Sequence, residues 1–234
     1  MAFVRGFLSP LPLVALITAD LLVTAGAVGG VWAWPTALVF VGVYGGFSMT
    51  ASGLLAMLRP ASFAVRQLKW VARKRAGQPL IDALGLGLYM AFFLGWFAFI
   101  PVDVFRLRLL PTPSAAVEGL GLALLIAGMA IVYAAIAQNR FAAPTIHDQS
   151  AEGQQVIETG LYGLVRHPFY AGMLLVYVGT ALWLGSFAAA IGVAGFLAMT
   201  LARIVIEERW LRAHLPAYEA YARRVRGRLI PVLL

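Results

Sequence analysis

RHPFYAGMLLVYVGTALWLGSFAAAIGVAGFLAMTLARIVIEE, running from Arg166 to Glu208, decides the fold. It holds two apolar runs, Phe169–Leu184 and Phe187–Ile206, divided by Gly185–Ser186, and its charged residues stand only at its two ends and just before the second. A helix crossing a bilayer needs about 20 apolar residues, so the first run is short and the second is long enough. The pattern predicts a tight helical hairpin whose turn lies away from the charges. A chain that crosses and returns brings Arg203, Glu207 and Glu208 back to the level of Arg166 and His167. Pro168 suits the first helical position, where its missing N–H and fixed φ cost nothing. Arg166 and His167 therefore sit beside a helix N-terminus, whose partial positive charge favours an anion.

Outward from the hairpin the chain is a membrane sequence. Of its 234 residues 62% are hydrophobic and 12% charged, with a mean hydropathy of +0.86. A soluble domain is about one quarter charged, and the deficit means that lipid is the solvent for most of the surface. We expect an all-α polytopic bundle of about five full spans plus the C-terminal hairpin and a cytoplasmic amphipathic helix. Residues 1–137 would form the N-terminal spans and 138–234 the functional core. There are no cysteines, which excludes disulfides and thiolate chemistry, and His147, His167 and His214 lack the spacing of a metal motif. The net charge of +8 lies in loops between apolar spans, not on a soluble face with interleaved aromatics, so neither nucleic acid nor a metal is expected.

Leu11–Val31 reads as an uncleaved first span that contains Asp20, an acid at membrane depth with a structural or a functional role. Trp32 and Trp34 sit where an interfacial belt is expected, and Thr36–Leu58 forms a second span whose Gly42–Gly46 stretch permits close helix contact. In Arg59–Pro79, Arg66, Lys69, Arg73, Lys74 and Arg75 alternate with Phe63, Leu68, Trp70 and Val71, as in a basic amphipathic helix on anionic headgroups. Leu80–Val102 makes a third span. In the loop Asp103–Glu118 two acids balance Arg106 and Arg108. Ala116–Ala137 makes a fourth span, with Gly119, Gly121 and Gly128 read as packing positions. With the N-terminus inside, every Lys and Arg except Arg106 and Arg108 falls on the cytoplasmic side. Both termini and the charged ends of the hairpin are then cytoplasmic.

Gln138–Thr159, the longest polar stretch, runs straight into the motif and is a natural cover for a bound molecule. The RHPFYAG element, the Arg203–Glu207–Glu208 cluster, Tyr218, Tyr221 and RLIP at Arg228–Pro231 together resemble the isoprenylcysteine carboxyl methyltransferase family. That group includes bacterial membrane methyltransferases and is related to phospholipid methyltransferases. The likeness is strongest from Gln138 onward. It departs at Leu161, Gly163 and Val225–Gly227, which bears on acceptor preference. The resemblance implies a bacterial inner-membrane enzyme using S-adenosyl-L-methionine and a lipophilic or small-molecule methyl acceptor (carboxylate, amine or thiol) drawn from among membrane lipids or the cytosol. It implies Gln138, Asn139, Phe141, Tyr162, Arg166, His167, Pro168, Tyr170, Gly172, Glu207 and Glu208 as cofactor-binding residues, and Arg166, Arg203 and Glu208 as catalytic.

Charge matches that implication. Arg166, His167 and the helix N-terminus complement a carboxylate, while Glu207 and Glu208 complement an ammonium or ribose hydroxyls. Arg203 and Glu207 stand one helical turn apart, so they either pair with each other or leave Arg203 to hold the acceptor's anionic group. An acceptor that must lose a proton would look to Glu208 or His167. Two other classes stay open. An NADPH-dependent sterol-type reductase would want more basic residues than Arg140 in Gln138–Thr159, and a non-catalytic lipid-binding or transport protein would put the weight on Asp20 and the glycine-rich spans.

Overall fold

The computed structural model describes residues 1–30, 34–67, 80–142 and 153–231. Its order is α1 (Ala2–Leu8), α2 (Leu11–Ala27), α3 (Pro35–Leu58), α4 (Pro60–Gln67), α5 (Leu80–Val102), α6 (Ala115–Gln138), α7 (Pro168–Trp183), α8 (Phe187–His214) and α9 (Ala217–Arg224). Among the described residues there is no strand. Among the described residues five helical stretches are long and apolar enough to cross a membrane: Ala2–Ala27, Pro35–Leu58, Leu84–Leu107, Ala115–Gln138 and Phe187–His214. The chain is thus an all-helical polytopic bundle, and the fifth long helix is itself the second arm of the hairpin.

The first span starts earlier than Leu11. Ser9–Pro10 interrupts it, and α1 packs on α3 where Gly6 meets Ser52 and Ala56. Trp34 is buried edge-on against Phe105 instead of facing an interface, while Trp32 and most of the basic residues of Arg59–Pro79 lie outside the described residues. Of the glycines in Gly42–Gly46 only Gly45 comes close to a described neighbour, Val14 on α2.

Pro101 interrupts the hydrogen-bond ladder near the end of α5, and the chain continues as a π-helical turn over Asp103–Leu107. Asp103 is buried there and does not serve to balance arginines. One of its carboxylate oxygens accepts from Ser186 Oγ at 2.6 Å and the other from the Leu109 N–H at 3.0 Å. Ser186 also caps α8 by accepting from the Ala189 N–H at 2.9 Å, and Gly185 turns the chain with φ +89°. The hairpin turn is thereby fixed to the end of α5.

α6 and α7 pack with their backbones in contact. A Cβ on Gly128 would stand 2.7 Å from the Gly172 carbonyl oxygen, and one on Gly172 would stand 2.8 Å from that of Gly128. Gly121 and Gly179 repeat the arrangement two turns away, so small residues at a seven-residue interval set the closest helix pair in the bundle. Gly119 meets nothing. The core beside this pair is aromatic: Tyr177 stacks on Phe196 at 4.0 Å, and Trp96, which donates from Nε1 to the Ala189 carbonyl at 2.8 Å, closes edge-on over both.

A candidate active site where the hairpin returns

Length places the site. The 16 residues of α7 reach roughly 24 Å and the 28 of α8 roughly 42 Å. A hydrocarbon core is about 30 Å thick, so α7 begins at or below one surface while the last turns of α8 project beyond it. Arg203 and Glu207 stand opposite the first turn of α7. Arg203 Nε donates to the Tyr170 hydroxyl at 2.9 Å, and that hydroxyl donates to Glu207 Oε2 at 2.9 Å. The two charges of the α8 turn are thus joined through a tyrosine of α7, and both ends of the hairpin meet as its sequence requires.

Pro168 occupies the first position of α7, with His167 as the N-cap residue. The segment before it is held by the C-terminal tail: the Arg166 N–H donates to the Gly227 carbonyl and the His167 N–H to the Arg228 carbonyl, both at 2.9 Å. Arg166 is 8% exposed, and its guanidinium is occupied by the protein. Nε donates to Glu208 Oε1 at 2.8 Å, and Nη1 donates to the carbonyls of Val225 at 2.6 Å and Arg226 at 2.7 Å, just past the end of α9. The positive charge at a helix C-terminus is favourable by itself. Arg166 thus ties α7, α8 and α9 together.

Glu208 is the centre of that knot. It is 1% exposed, and His167 Nε2 at 3.3 Å, Arg228 Nη2 at 3.4 Å and Arg212 Nη2 at 3.6 Å surround it in addition to Arg166. A carboxylate so buried is tolerated because its cations are in place, and removing it would leave Arg166 charged and unpaired. Glu207, one residue earlier and about 100° around the helix, faces the other way.

It faces a cavity of about 700 Å³, within the usual range for a ligand site. Asn139, Phe141, Tyr162, Arg166, His167, Tyr170, Arg203 and Glu207 border it. Gln138, Pro168, Gly172 and Glu208 do not. Gln138 Oε1 instead accepts from the Leu161 N–H at 2.9 Å, and Gly172 is pressed against α6, where any ligand would displace the backbone of Gly128. Gly172 is engaged in helix packing and Glu208 in ion pairing.

Residues that the motifs did not single out complete the walls. Gln155, Val156 and Leu215 lie at the mouth, and Tyr218 reaches in from α9. The Tyr218 hydroxyl is buried, and among the described residues nothing bonds to it. Burial pushes the Tyr218 and Tyr221 hydroxyls upward in pKa, with the Glu208 carboxylate adding to the effect on Tyr218, so both stay protonated. Tyr221 uses its proton on the Tyr162 carbonyl at 2.8 Å; Tyr218 keeps its own for something else. Its helical interval to Tyr221 is legible in the sequence, but its orphaned state is not. Among the described residues no group of three metal-ligating side chains exists.

The cavity does not end at the charges. It continues between α2, α3, α5 and α7 along Leu13, Leu88, Phe93 and Val176, so one space has a polar end at the hairpin return and an apolar extension at membrane depth. Neither the curated proteins nor the solved structures include a match to this chain. Residues 117–217, from the start of α6 to the first residue of α9, match the family model of phospholipid methyltransferases, and over that segment the chain is similar to membrane methyltransferases.

Proposed function

We propose that the protein is an S-adenosylmethionine-dependent methyltransferase of the membrane, acting on a lipophilic acceptor with its site and both termini on the cytoplasmic side. The observation that carries this reading is the Arg203–Tyr170–Glu207 chain at the junction between a polar mouth and an apolar cavity. The match over residues 117–217 supports it against the reductase and the transporter.

The residues present fit the cofactor. Tyr218, a buried phenol without a partner among the described residues, lines the space and is placed to bond a ligand. Glu207 offers a carboxylate to an ammonium or to ribose hydroxyls, His167 offers a ring edge to a carboxylate, and Val156 and Leu215 give an apolar wall for a flat base. The sulfonium supplies a methyl group already activated for in-line displacement, so positioning and exclusion of water can supply most of the catalysis. Arg203 holds the acceptor's anionic group beside that end of the cavity. An amine acceptor sheds its proton to Glu207, since Glu208 is enclosed by Arg166, Arg212, Arg228 and His167 and does not border the cavity; a carboxylate acceptor needs no base.

The test is transfer of a tritiated methyl group from the cofactor to lipids by the protein in nanodiscs made from a bacterial lipid extract. Label should enter the organic phase with the parent and be lost with Arg203→Ala. Label that stays aqueous with the parent would remove this reading.

A further inference from the structure

Two helical turns below Tyr170, the cavity carries a second set of polar atoms that the methyl-transfer chemistry does not use. Tyr177 follows Tyr170 by seven residues, so it lies on the same face of α7 and about 11 Å further into the bilayer. Its hydroxyl is 3.0 Å from that of Tyr89 on α5. Tyr177 is buried behind, whereas Tyr89 is partly exposed; both border the cavity.

The packing of these rings does not require their oxygens. Tyr177 lies flat on Phe196 and Tyr89 sits 5.4 Å from the same ring, among Phe93, Trp96 and Phe97. Phenylalanine would fill both places. A hydroxyl at membrane depth costs free energy unless it is bonded, and a passage meant only for hydrocarbon gains nothing from it. The pair has two protons, of which one is used between the two oxygens, leaving the second for a ligand.

We propose that Tyr89 and Tyr177 form an ester-reading subsite, in which a phenolic O–H donates to an acyl-ester carbonyl of a diacyl glycerophospholipid whose headgroup lies at Arg203 and Glu207. The inference rests on the methyltransferase reading for where the headgroup sits. Two turns of helix match the reach from a headgroup amine through its phosphate to the glycerol esters. The charges suit the same occupant: Arg203 faces the phosphate and Glu207 the amine, and the apolar walls beyond Tyr89, at Leu88 and Phe93, take the start of an acyl chain. An ether-linked lipid has the same charges and chains but no carbonyl.

The experiment measures binding of diacyl and dialkyl phosphatidylethanolamine of equal chain length, by competition with a fluorescent phosphatidylethanolamine in mixed micelles, for the parent, Tyr89→Phe and Tyr177→Phe. One net hydrogen bond predicts a roughly fivefold preference of the parent for the diacyl lipid. In Tyr89→Phe the ratio should fall to within about twofold of unity through weaker diacyl binding. Tyr177→Phe repeats the test should Tyr89→Phe fail to fold. Equal binding of both lipids by the parent, binding of neither, or a preference that survives in the Phe variants overturns the subsite. Methyl transfer measured on the same preparations separates the two claims: an ester preference without transfer removes the methyltransferase reading and leaves the subsite, and transfer without the preference does the reverse.

Discussion

Replacing Glu208 by glutamine keeps the shape of the side chain and removes the charge on which three arginines and His167 converge. The amide oxygen can still accept from Arg166 Nε, but Arg166, 8% exposed, loses its counter-charge while remaining buried. Breaking a buried pair by removing one partner costs about 3 to 5 kcal/mol. We take the lower end, about 3 kcal/mol, because Arg166 retains its bonds to the carbonyls of Val225 and Arg226 and Arg228 remains partly hydrated. For a chain of this size that is a fall in Tm of roughly 6 to 12 °C. Thermal unfolding in detergent measures it, with Glu207→Gln as the comparison. Glu207 faces the cavity, so its variant should unfold within about 4 °C of the parent, since partly exposed pairs contribute at most about 1 kcal/mol. S-adenosylhomocysteine binding should weaken in both variants, by contact for Glu207 and through the displaced RHP segment for Glu208. If Glu208→Gln unfolds like the parent while Glu207→Gln is the unstable one, the assignment of knot and ligand group is reversed.

Other outcomes follow from the same geometry. Arg203→Ala should abolish turnover while leaving S-adenosylhomocysteine affinity within about threefold, measured by calorimetry beside the nanodisc assay. Tyr218→Phe should weaken that affinity by about three- to tenfold with no loss of thermal stability, because the hydroxyl it removes has no partner among the described residues. Gly128→Leu, which drives a side chain into the backbone of Gly172 and Val176, should lower the Tm by several degrees or prevent folding, whereas the same change at Gly119, which meets nothing, should be tolerated. Because the chain has no cysteine, single cysteines introduced at Ser114 and Glu219 report topology directly: only the first should react with an impermeant maleimide added outside intact cells.

Much of this architecture is legible in the residue string. The Gly185–Ser186 break, the two apolar runs and the charges at their ends predict a hairpin that closes on itself, and Arg203 bonds to Tyr170 across it. Gly121 and Gly128 are recognisable as packing residues by their place in an apolar span. What the string conceals is direction. Glu207 and Glu208 are chemically identical and adjacent, and which one faces the cavity depends on how α8 is rotated by its contacts with α5 and α7. Arg166 looks like a ligand group because the carbonyls that occupy it come from Val225 and Arg226, some 60 residues later, and main-chain carbonyls leave no trace in sequence. Gly172 reads as part of a binding motif although its role is to admit α6. Asp103 reads as a loop acid although it locks the hairpin turn, since its partner Ser186 is 83 residues away. Asp20 is half settled. One of its oxygens is buried without a partner among the described residues, on the opposite end of the chain from the site.

Calorimetry on the purified protein with S-adenosylhomocysteine and NADPH in parallel bears most directly on the central claim, a cofactor held at the hairpin return by Glu207, His167 and Tyr218. The account predicts one-to-one binding of S-adenosylhomocysteine, a loss of about tenfold or more in Glu207→Gln, as for a charge-assisted hydrogen bond, and no heat with NADPH. Binding of NADPH in place of S-adenosylhomocysteine, or S-adenosylhomocysteine affinity unchanged in Glu207→Gln, His167→Ala and Tyr218→Phe alike, would contradict it.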